Sequence, residues 1–217
     1  MSASAGYVPL NERPLGGHVK LLDLVPDGSR VLDVGCSSGY LARPLLERGC
    51  TVVGVELDES AAAAARELGV EVLVGDVETL ELPFPPASFD VVLCGDLIEH
   101  LRDPRRFLER ARPTLRASGR LVLSTPNVAN WSIRAGLLLG RWRYTDRGIL
   151  DRTHAHLFTK KTLVETLTAA GFRVIELDFT LPVPVVGTPL VEKAAHAVGR
   201  LRPSLLAYQF VVAATPA

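Results

Sequence analysis

The feature that most constrains this chain is an apolar run that ends in a glycine-containing turn, followed one helix later by an apolar run that ends in an acid. Residues 30–39 read Arg-Val-Leu-Asp-Val-Gly-Cys-Ser-Ser-Gly, and residues 51–56 read Thr-Val-Val-Gly-Val-Glu. Glu56 follows Gly35 at the spacing of roughly twenty residues that lets two neighbouring strand ends hold one nucleoside-like ligand. Glycine allows close backbone approach, and a carboxylate accepts hydrogen bonds from ribose hydroxyls. The pair predicts a site for an adenosine-containing cofactor.

Strand-like runs alternate with helical patterns along the chain. Such alternation is typical of a parallel sheet covered by helices on both faces. Strands are expected at residues 30–34, 51–55, 71–74, 89–94, 120–124, 172–177 and 207–214. Helices are expected at residues 18–25, 40–48, 58–69, 103–113, 131–139, 159–171 and 190–198. We therefore predict an α/β fold, with a doubly wound, Rossmann-like sheet of seven strands.

The length of 217 residues favours one domain. Residues 125–158 form an insertion that is too long for an ordinary connection. Insertions after the carboxyl ends of strands are where substrate sites form in open α/β sheets. A second irregular region is expected at residues 182–203.

Composition excludes several classes of protein. The chain has 24 basic and 24 acidic residues, which removes the electrostatic footprint of a nucleic-acid-binding protein. No run approaches the roughly 18 apolar residues of a membrane span, and no secretory signal is recognised at the N-terminus. Three scattered cysteines suit a reducing compartment. We expect a cytoplasmic protein, and both a monomer and a homodimer stay open.

Further motifs stand in order along the chain and resemble those of class I S-adenosylmethionine-dependent methyltransferases. They are residues 31–39, Glu56, Gly75-Asp76, residues 89–100, residues 119–126 and residues 208–214. The branch that they resemble contains small-molecule enzymes of the ubiquinone-biosynthesis and methionine-biosynthesis-W types. The resemblance implies S-adenosylmethionine as cofactor and a last strand that runs antiparallel. One departure is Ser37, which stands where the family usually has glycine.

The resemblance also implies which residues hold the cofactor. Asp33 would lie near its ammonium group, and the backbone amides of the glycine loop would suit its carboxylate. Glu56 would hold the ribose hydroxyls, and Asp76 with the Val77 amide would read the adenine edge. The full set expected to bind cofactor is Asp33, Gly35, Cys36, Ser37, Gly39, Glu56, Leu57, Asp76, Val77, Asp96 and Leu97.

Asp96 and Leu97 are expected to border the site of methyl transfer. Methyl transfer from a sulfonium is an in-line displacement, so the enzyme mainly aligns the reacting atoms. Where the acceptor is a hydroxyl, a base near its proton adds roughly 10²–10⁴-fold. His100 and His154 are the candidate catalytic residues, and Asp151 and His156 are alternative bases.

The acceptor is expected to be a small molecule, and O-methylation is favoured over N- or C-methylation. An anionic group on the acceptor would suit arginines of the insertion. Those arginines, with Trp131 and Trp142 nearby, also allow a membrane-surface interpretation, which is less favoured than a solvated lid. His154 and His156 could face one metal ion, but no third ligand stands in a clear motif. We therefore expect no metal site.

Three other functions compete with this interpretation. Residues 35–39 match Gly-x-Ser-x-Gly, which would make Ser37 a hydrolase nucleophile, but only one strand and no oxyanion loop precede it. A nicotinamide-dependent dehydrogenase needs Gly-x-Gly-x-x-Gly, which is absent. A non-catalytic subunit that binds the cofactor is the strongest rival.

Overall fold

The structure is a computed structural model that describes residues 15–181 and 189–217. Its strands are β1 (Arg30–Val34), β2 (Thr51–Glu56), β3 (Glu71–Val74), β4 (Phe89–Gly95), β5 (Leu115–Pro126), β6 (Phe172–Thr180) and β7 (Gln209–Pro216). They form a 7-stranded sheet in the order β3-β2-β1-β4-β5-β7-β6. β7 pairs antiparallel with β5 and with β6, and the pairs among β1 to β5 are parallel. The doubly wound sheet with an antiparallel last strand is confirmed.

Helices cover both faces of the sheet. They are α1 (Gly17–Asp23), α2 (Ala42–Glu47), α3 (Glu59–Glu67), α4 (Pro104–Ala111), α5 (Trp131–Leu138), α6 (Lys160–Ala169), α7 (Pro189–Leu201) and α8 (Pro203–Leu206), with a 3₁₀ turn at Arg112–Thr114. Alternate residues of the central strands enter opposite cores, because strand side chains point to alternate faces. Val31 packs with α1, α2 and α3, and Leu32 packs with α4 and α6. Among the described residues, no helix has the length and apolarity needed to cross a membrane.

Local sequence signals explain where the helices begin. The Asp58 side chain accepts a hydrogen bond from a backbone amide of α3, and Asp103 does the same for α4. Thr159 and Thr162 form a reciprocal capping box at the start of α6. Pro44 interrupts nothing, because α2 begins only two residues before it and first-turn amides have no partner within the helix.

The ends of several elements differ from the sequence prediction. β5 begins at Leu115, which pairs with Phe89 before a register shift. β6 continues past its apolar part because its antiparallel pairing with β7 runs on to Thr180. β7 begins at Gln209 rather than at residue 207, since the Ala207 carbonyl accepts hydrogen bonds from side chains of the insertion instead of from the sheet. Of the expected second irregular region, residues 182–188 lie outside the described residues.

The insertion after β5 is anchored by two buried asparagines. Asn127 and Asn130 are both fully buried, and the Nδ2 atom of each donates to the Ala207 carbonyl, at 2.9 and 2.8 Å. The Asn130 carboxamide oxygen also accepts from the Ser132 amide and so caps α5. These bonds fix the point at which the insertion leaves the sheet.

Candidate active site

A cavity of about 710 Å³ opens at the carboxyl ends of β1, β2, β3 and β4. This is the edge at which open α/β sheets bind ligands. Of the residues singled out from the sequence, those that line it are Gly35, Ser37, Glu56, Leu57, Asp76, Val77, Asp96, Leu97 and His100. The sheet therefore brings together residues that lie far apart in the sequence.

The glycine loop is held tightly against β2. The amides of Gly35 and Cys36 both donate to the Val55 carbonyl, at 2.8 and 3.2 Å, and the Gly39 amide donates to the Cys36 carbonyl. Ser37 has a φ of 49°, in the left-handed region that glycine adopts most easily. The loop thus keeps the left-handed turn at the position where the family usually has glycine. These amides hold the loop in shape, so the expectation that they receive a cofactor carboxylate stays a prediction.

Glu56 links the two strand ends. Its Oε2 atom accepts from the Ser37 amide at 2.8 Å, and its Oε1 atom accepts from the amides of Leu57 and Asp58 at 2.9 Å each. A carboxylate offers about four acceptor positions, so roughly one is left toward the cavity. Glu56 can accept one further hydroxyl in this arrangement. To accept hydrogen bonds from both hydroxyls of a ribose, Glu56 must give up one of its three hydrogen bonds from backbone amides.

Asp33 lies beneath the glycine loop and has an orphaned oxygen. The residue is 1% exposed, and its Oδ2 atom has no hydrogen-bond partner among the described residues. Burial, and secondly the Glu56 charge, raise the pKa of Asp33 to about 7. A buried carboxylate without a partner is costly. A cationic group beside Asp33, such as the ammonium group of S-adenosylmethionine, would satisfy it.

Of the remaining cofactor candidates, Asp76 lines the cavity, whereas Cys36 and Gly39 pack on the α3 side of the loop. The Oδ1 atom of Asp76 accepts from the Glu78 amide at 2.9 Å, so this acid caps its own turn while also lining the cavity. Cys36 is buried and belongs to the core on the α3 side. At Gly39, a Cβ would lie 3.0 Å from Leu68 and 3.3 Å from Ala65, so glycine lets the loop pack against α3. The Cys36 side chain and Gly39 therefore act on the shape of the loop.

Asp96 occupies a constrained position at the end of β4. Its φ is 50°, in the left-handed region. Its Oδ1 atom accepts from the Ser124 hydroxyl at 2.8 Å and from the Gln209 amide nitrogen at 2.5 Å. These side chains come from β5 and β7, so three strands hold Asp96 at the cavity wall. Backbone strain at a position fixed by its surroundings is common at functional sites.

Two aromatic rings of the cavity wall were not singled out from the sequence. His18 on α1 and Tyr40 after the glycine loop both line the cavity, and their ring centroids are 5.0 Å apart. Burial lowers the pKa of His18. Tyr40 directly follows the glycine motif, which is the one signal that could have marked it. Nothing in the helical pattern of α1 distinguishes His18 from a core residue.

His100 lines the cavity, and the His154 ring from the insertion lies against it. His154 itself is not among the described residues that line the cavity. The two ring centroids are 4.8 Å apart, and the planes cross at 72°. His154 Nδ1 lies 3.1 Å from the Ile149 carbonyl, which can only accept, so this nitrogen carries the proton. His100 Nδ1 lies 3.3 Å from the Thr153 carbonyl. It also lies 3.2 Å from the Thr153 hydroxyl, whose own proton is donated to Asp151.

The tautomers of this histidine pair follow from those contacts. Both oxygen atoms near His100 Nδ1 act as hydrogen-bond acceptors, so Nδ1 carries the proton in His100 as it does in His154. The Nε2 atom of each ring is then the unprotonated nitrogen. Partial burial, and secondly the nearby His154, lower the pKa of His100. The His100 ring is therefore neutral near pH 7, and its Nε2 atom is available to accept a proton.

The insertion is most exposed over α5 and the residues that follow it, up to residue 147. α5 has no buried residue among those described, and Trp131 and Leu138 are 52% and 88% exposed. The Arg152 guanidinium pairs with Asp146 at 2.7 Å. The insertion arginines do not line the cavity, so the structure brings none of them to the site as an anchor for an anionic acceptor.

Comparison with known proteins assigns the chain to a class. A family model described as a methyltransferase domain matches residues 11–177, and the chain belongs to this family. It is an S-adenosylmethionine-dependent methyltransferase, and the orphaned Asp33 oxygen with the Glu56 carboxylate fits that cofactor. The hydrolase and dehydrogenase alternatives are thereby wrong.

Individual relatives share parts of this chain. It is 34% identical over 177 residues to a ubiquinone biosynthesis O-methyltransferase of Idiomarina loihiensis, covering 76% of this chain and 70% of that protein. It is 35% identical over 133 residues to a protein of the same name from Bradyrhizobium diazoefficiens, where it spans only 51% of the relative. A methyltransferase structure from Archaeoglobus fulgidus has a TM-score of 0.67 at 19% identity, covering 91% of this chain and 92% of that one. That likeness shows the fold.

Proposed function

We propose that this chain transfers a methyl group from S-adenosylmethionine to a hydroxyl group of a small molecule. The observation that carries this proposal is the position of His100 at the wall of the cavity, with its ring centroid 4.8 Å from that of His154. The names of the two O-methyltransferase relatives support the same chemistry. When bound, the cofactor supplies a methyl group on a positively charged sulfur, and transfer leaves a neutral thioether.

The chain's own residues act in two groups. Asp33 balances the cationic end of the cofactor, and Glu56 accepts a ribose hydroxyl while it holds the glycine loop through the Ser37 amide. At the other end, His100 faces the acceptor with a basic Nε2 atom. The acceptor hydroxyl gives its proton to that nitrogen and then to solvent as its oxygen forms the bond to the methyl carbon. The base contributes roughly 10²–10⁴-fold, and alignment supplies the rest.

The experiment is a screen of phenols, alcohols and amines for formation of S-adenosylhomocysteine, run with the wild-type chain and with His100→Gln and His156→Gln. His156→Gln is the matched control, because Gln can keep the donor to the Arg102 carbonyl. We expect a hydroxylated acceptor to turn over, and His100→Gln to lower kcat by roughly 10²-fold or more. Calorimetric affinity for S-adenosylmethionine should stay unchanged in both variants.

Two results would contradict the proposal. Turnover of amines alone would assign N-methylation. Tight cofactor binding without product from any member of the screen would favour the non-catalytic subunit.

A further inference from the structure

The loop after β3 is built around the backbone carbonyl of Asp76. This oxygen accepts from the Thr79 amide at 3.0 Å and from the Leu80 amide at 2.7 Å, while the Asp76 side chain accepts from the Glu78 amide at 2.9 Å. Residues 76–80 therefore turn back on themselves. Val77 lies inside this turn, and its side chain belongs to the buried cluster that α4 covers.

The backbone amide of Val77 is left open by this turn. It donates to no atom among the described residues, and Val77 lines the cofactor cavity. The carbonyl and the N–H of a trans peptide point in opposite directions, so the bonds that hold the Asp76 carbonyl inside the loop turn the Val77 N–H away from them. Buried polar groups are usually partnered, so an open amide in a cavity wall indicates a ligand atom that accepts a hydrogen bond.

The carbonyls on the other side of the loop are held by one arginine of α4. Nη1 of Arg110 donates to the Val77 carbonyl at 3.3 Å and to the Glu78 carbonyl at 2.8 Å, and Nη2 donates to the Leu80 carbonyl. Within the described part of the chain, no backbone amide donates to these oxygens. A guanidinium suits this task, because its donors are fixed in one plane and its charge strengthens each bond. Arg110 thus supplies hydrogen bonds that the loop does not make for itself.

A second contact joins the loop to the beginning of the same helix. The Oε1 atom of Glu78 accepts from the amides of Arg102 and Asp103, at 2.8 and 3.0 Å, directly before α4. The loop is therefore tied to the first turn of α4 by the Glu78 carboxylate and to its last turn by Arg110. Since α4 packs against the sheet, these ties set the position of the loop relative to the rest of the cofactor site.

We propose that Arg110 is a positioning residue that sets the preference of the cofactor site for adenine. Arg110 is half-buried and is not among the described residues that line the cavity, so it acts on the base only through the loop. The proposal rests on S-adenosylmethionine as the cofactor, and it holds whichever acceptor is methylated.

The preference follows from the two groups that the loop presents. The Val77 amide can only donate a hydrogen bond, and the Asp76 carboxylate can only accept one. Adenine carries an acceptor nitrogen next to an amino group on one edge, whereas hypoxanthine has a ring N–H and a carbonyl at the same two positions. Hypoxanthine therefore meets a like group at both positions. This discrimination requires the amide and the carboxylate to stay at fixed positions, and the bonds from Arg110 provide that rigidity.

The test is a calorimetric titration of S-adenosylhomocysteine and of S-inosylhomocysteine, which carries hypoxanthine in place of adenine. The proteins are the wild type, Arg110→Gln, Arg110→Lys and Arg106→Gln. Arg106→Gln is the matched control, because Arg106 lies on the same helix and its exposed guanidinium donates to no atom among the described residues. We expect the wild type and the control to prefer the adenine nucleoside by about 100-fold or more. Both Arg110 variants should lower that preference by about tenfold, since lysine lacks the planar fork.

The ratio of the two affinities separates positioning from a merely structural role. A substitution that only loosens the fold weakens binding of both nucleosides equally, so an unchanged ratio in the Arg110 variants would overturn the proposal. A wild type without preference would also overturn it, because the loop would then not read the base. Far-ultraviolet circular dichroism identifies a variant that fails to fold, and Arg110→Lys then replaces Arg110→Gln as the test. No acceptor is added, so the result does not depend on the proposed O-methylation.

Discussion

At the scale of single residues, the site contains one acid that water cannot reach, Asp33. The pKa of Asp33 is raised to about 7 from an ordinary value of 3.8, mainly by burial. The folded chain therefore keeps a proton that the unfolded chain releases above about pH 4. Burying Asp33 therefore lowers the free energy of unfolding at neutral pH, and it places a carboxylate where a cationic ligand can pair with it.

This linkage predicts how stability depends on pH. Between about pH 4 and pH 7 the free energy of unfolding of the wild type should fall relative to that of Asp33→Asn, by on the order of a few kcal/mol, and then level off. The sign follows because the folded state binds more protons than the unfolded state in that range. Urea denaturation of both proteins across the range measures the difference. Parallel curves would show that Asp33 does not titrate in this way.

The Asp33→Asn variant should also bind S-adenosylmethionine more weakly at pH 8, by about 1.5–3 kcal/mol, because a charge-assisted contact is lost. Calorimetry at that pH measures the loss. The same substitution would thus raise relative stability and lower affinity. This opposition is expected of a functional residue and not of a core residue.

At the scale of elements, the carboxyl ends of neighbouring strands do most of the assembly. β1 and β2 bring Asp33 and Glu56 together, and their spacing in the sequence was enough to predict that. The approach of His154 to His100 was not predictable in the same way, because no periodicity relates residues that lie on a strand end and in an irregular insertion. For the same reason the sequence did not predict the hydrogen bond from the Gln209 side chain, on the last strand, to Asp96.

The insertion should depend on its asparagine anchors. Asn130→Ala removes the cap of α5 and one of the bonds to the Ala207 carbonyl. We expect a loss of about 1–3 kcal/mol in stability, because the buried groups left behind have no water. Thermal unfolding measures this loss, and Ser132→Ala, in the first turn of the same helix, is the milder control. An unchanged melting temperature in Asn130→Ala would mean that the insertion is held by other contacts.

At the scale of the whole molecule, the sequence predicted the topology well and the chemistry only in part. Alternating runs and caps such as Asp103-Pro104 are local, so they determine elements without knowledge of the fold. Element ends such as Leu115 and Thr180 depend on pairing partners far along the chain, so they were misjudged. The burial of Glu99, an acid that follows a strand end, is a property of the packed molecule alone. No local pattern contains it.

The most direct test of the account is a calorimetric titration of S-adenosylmethionine into the wild type, Glu56→Gln and Glu59→Gln. Glu56 connects both strand ends at the cavity, whereas Glu59 is an exposed acid on α3 that pairs with Arg66. We expect Glu56→Gln to lose about 1–3 kcal/mol of binding free energy, which is roughly 5–150-fold in Kd, while Glu59→Gln matches the wild type. Equal affinity in all three proteins would contradict the claim that the cofactor is held between β1 and β2.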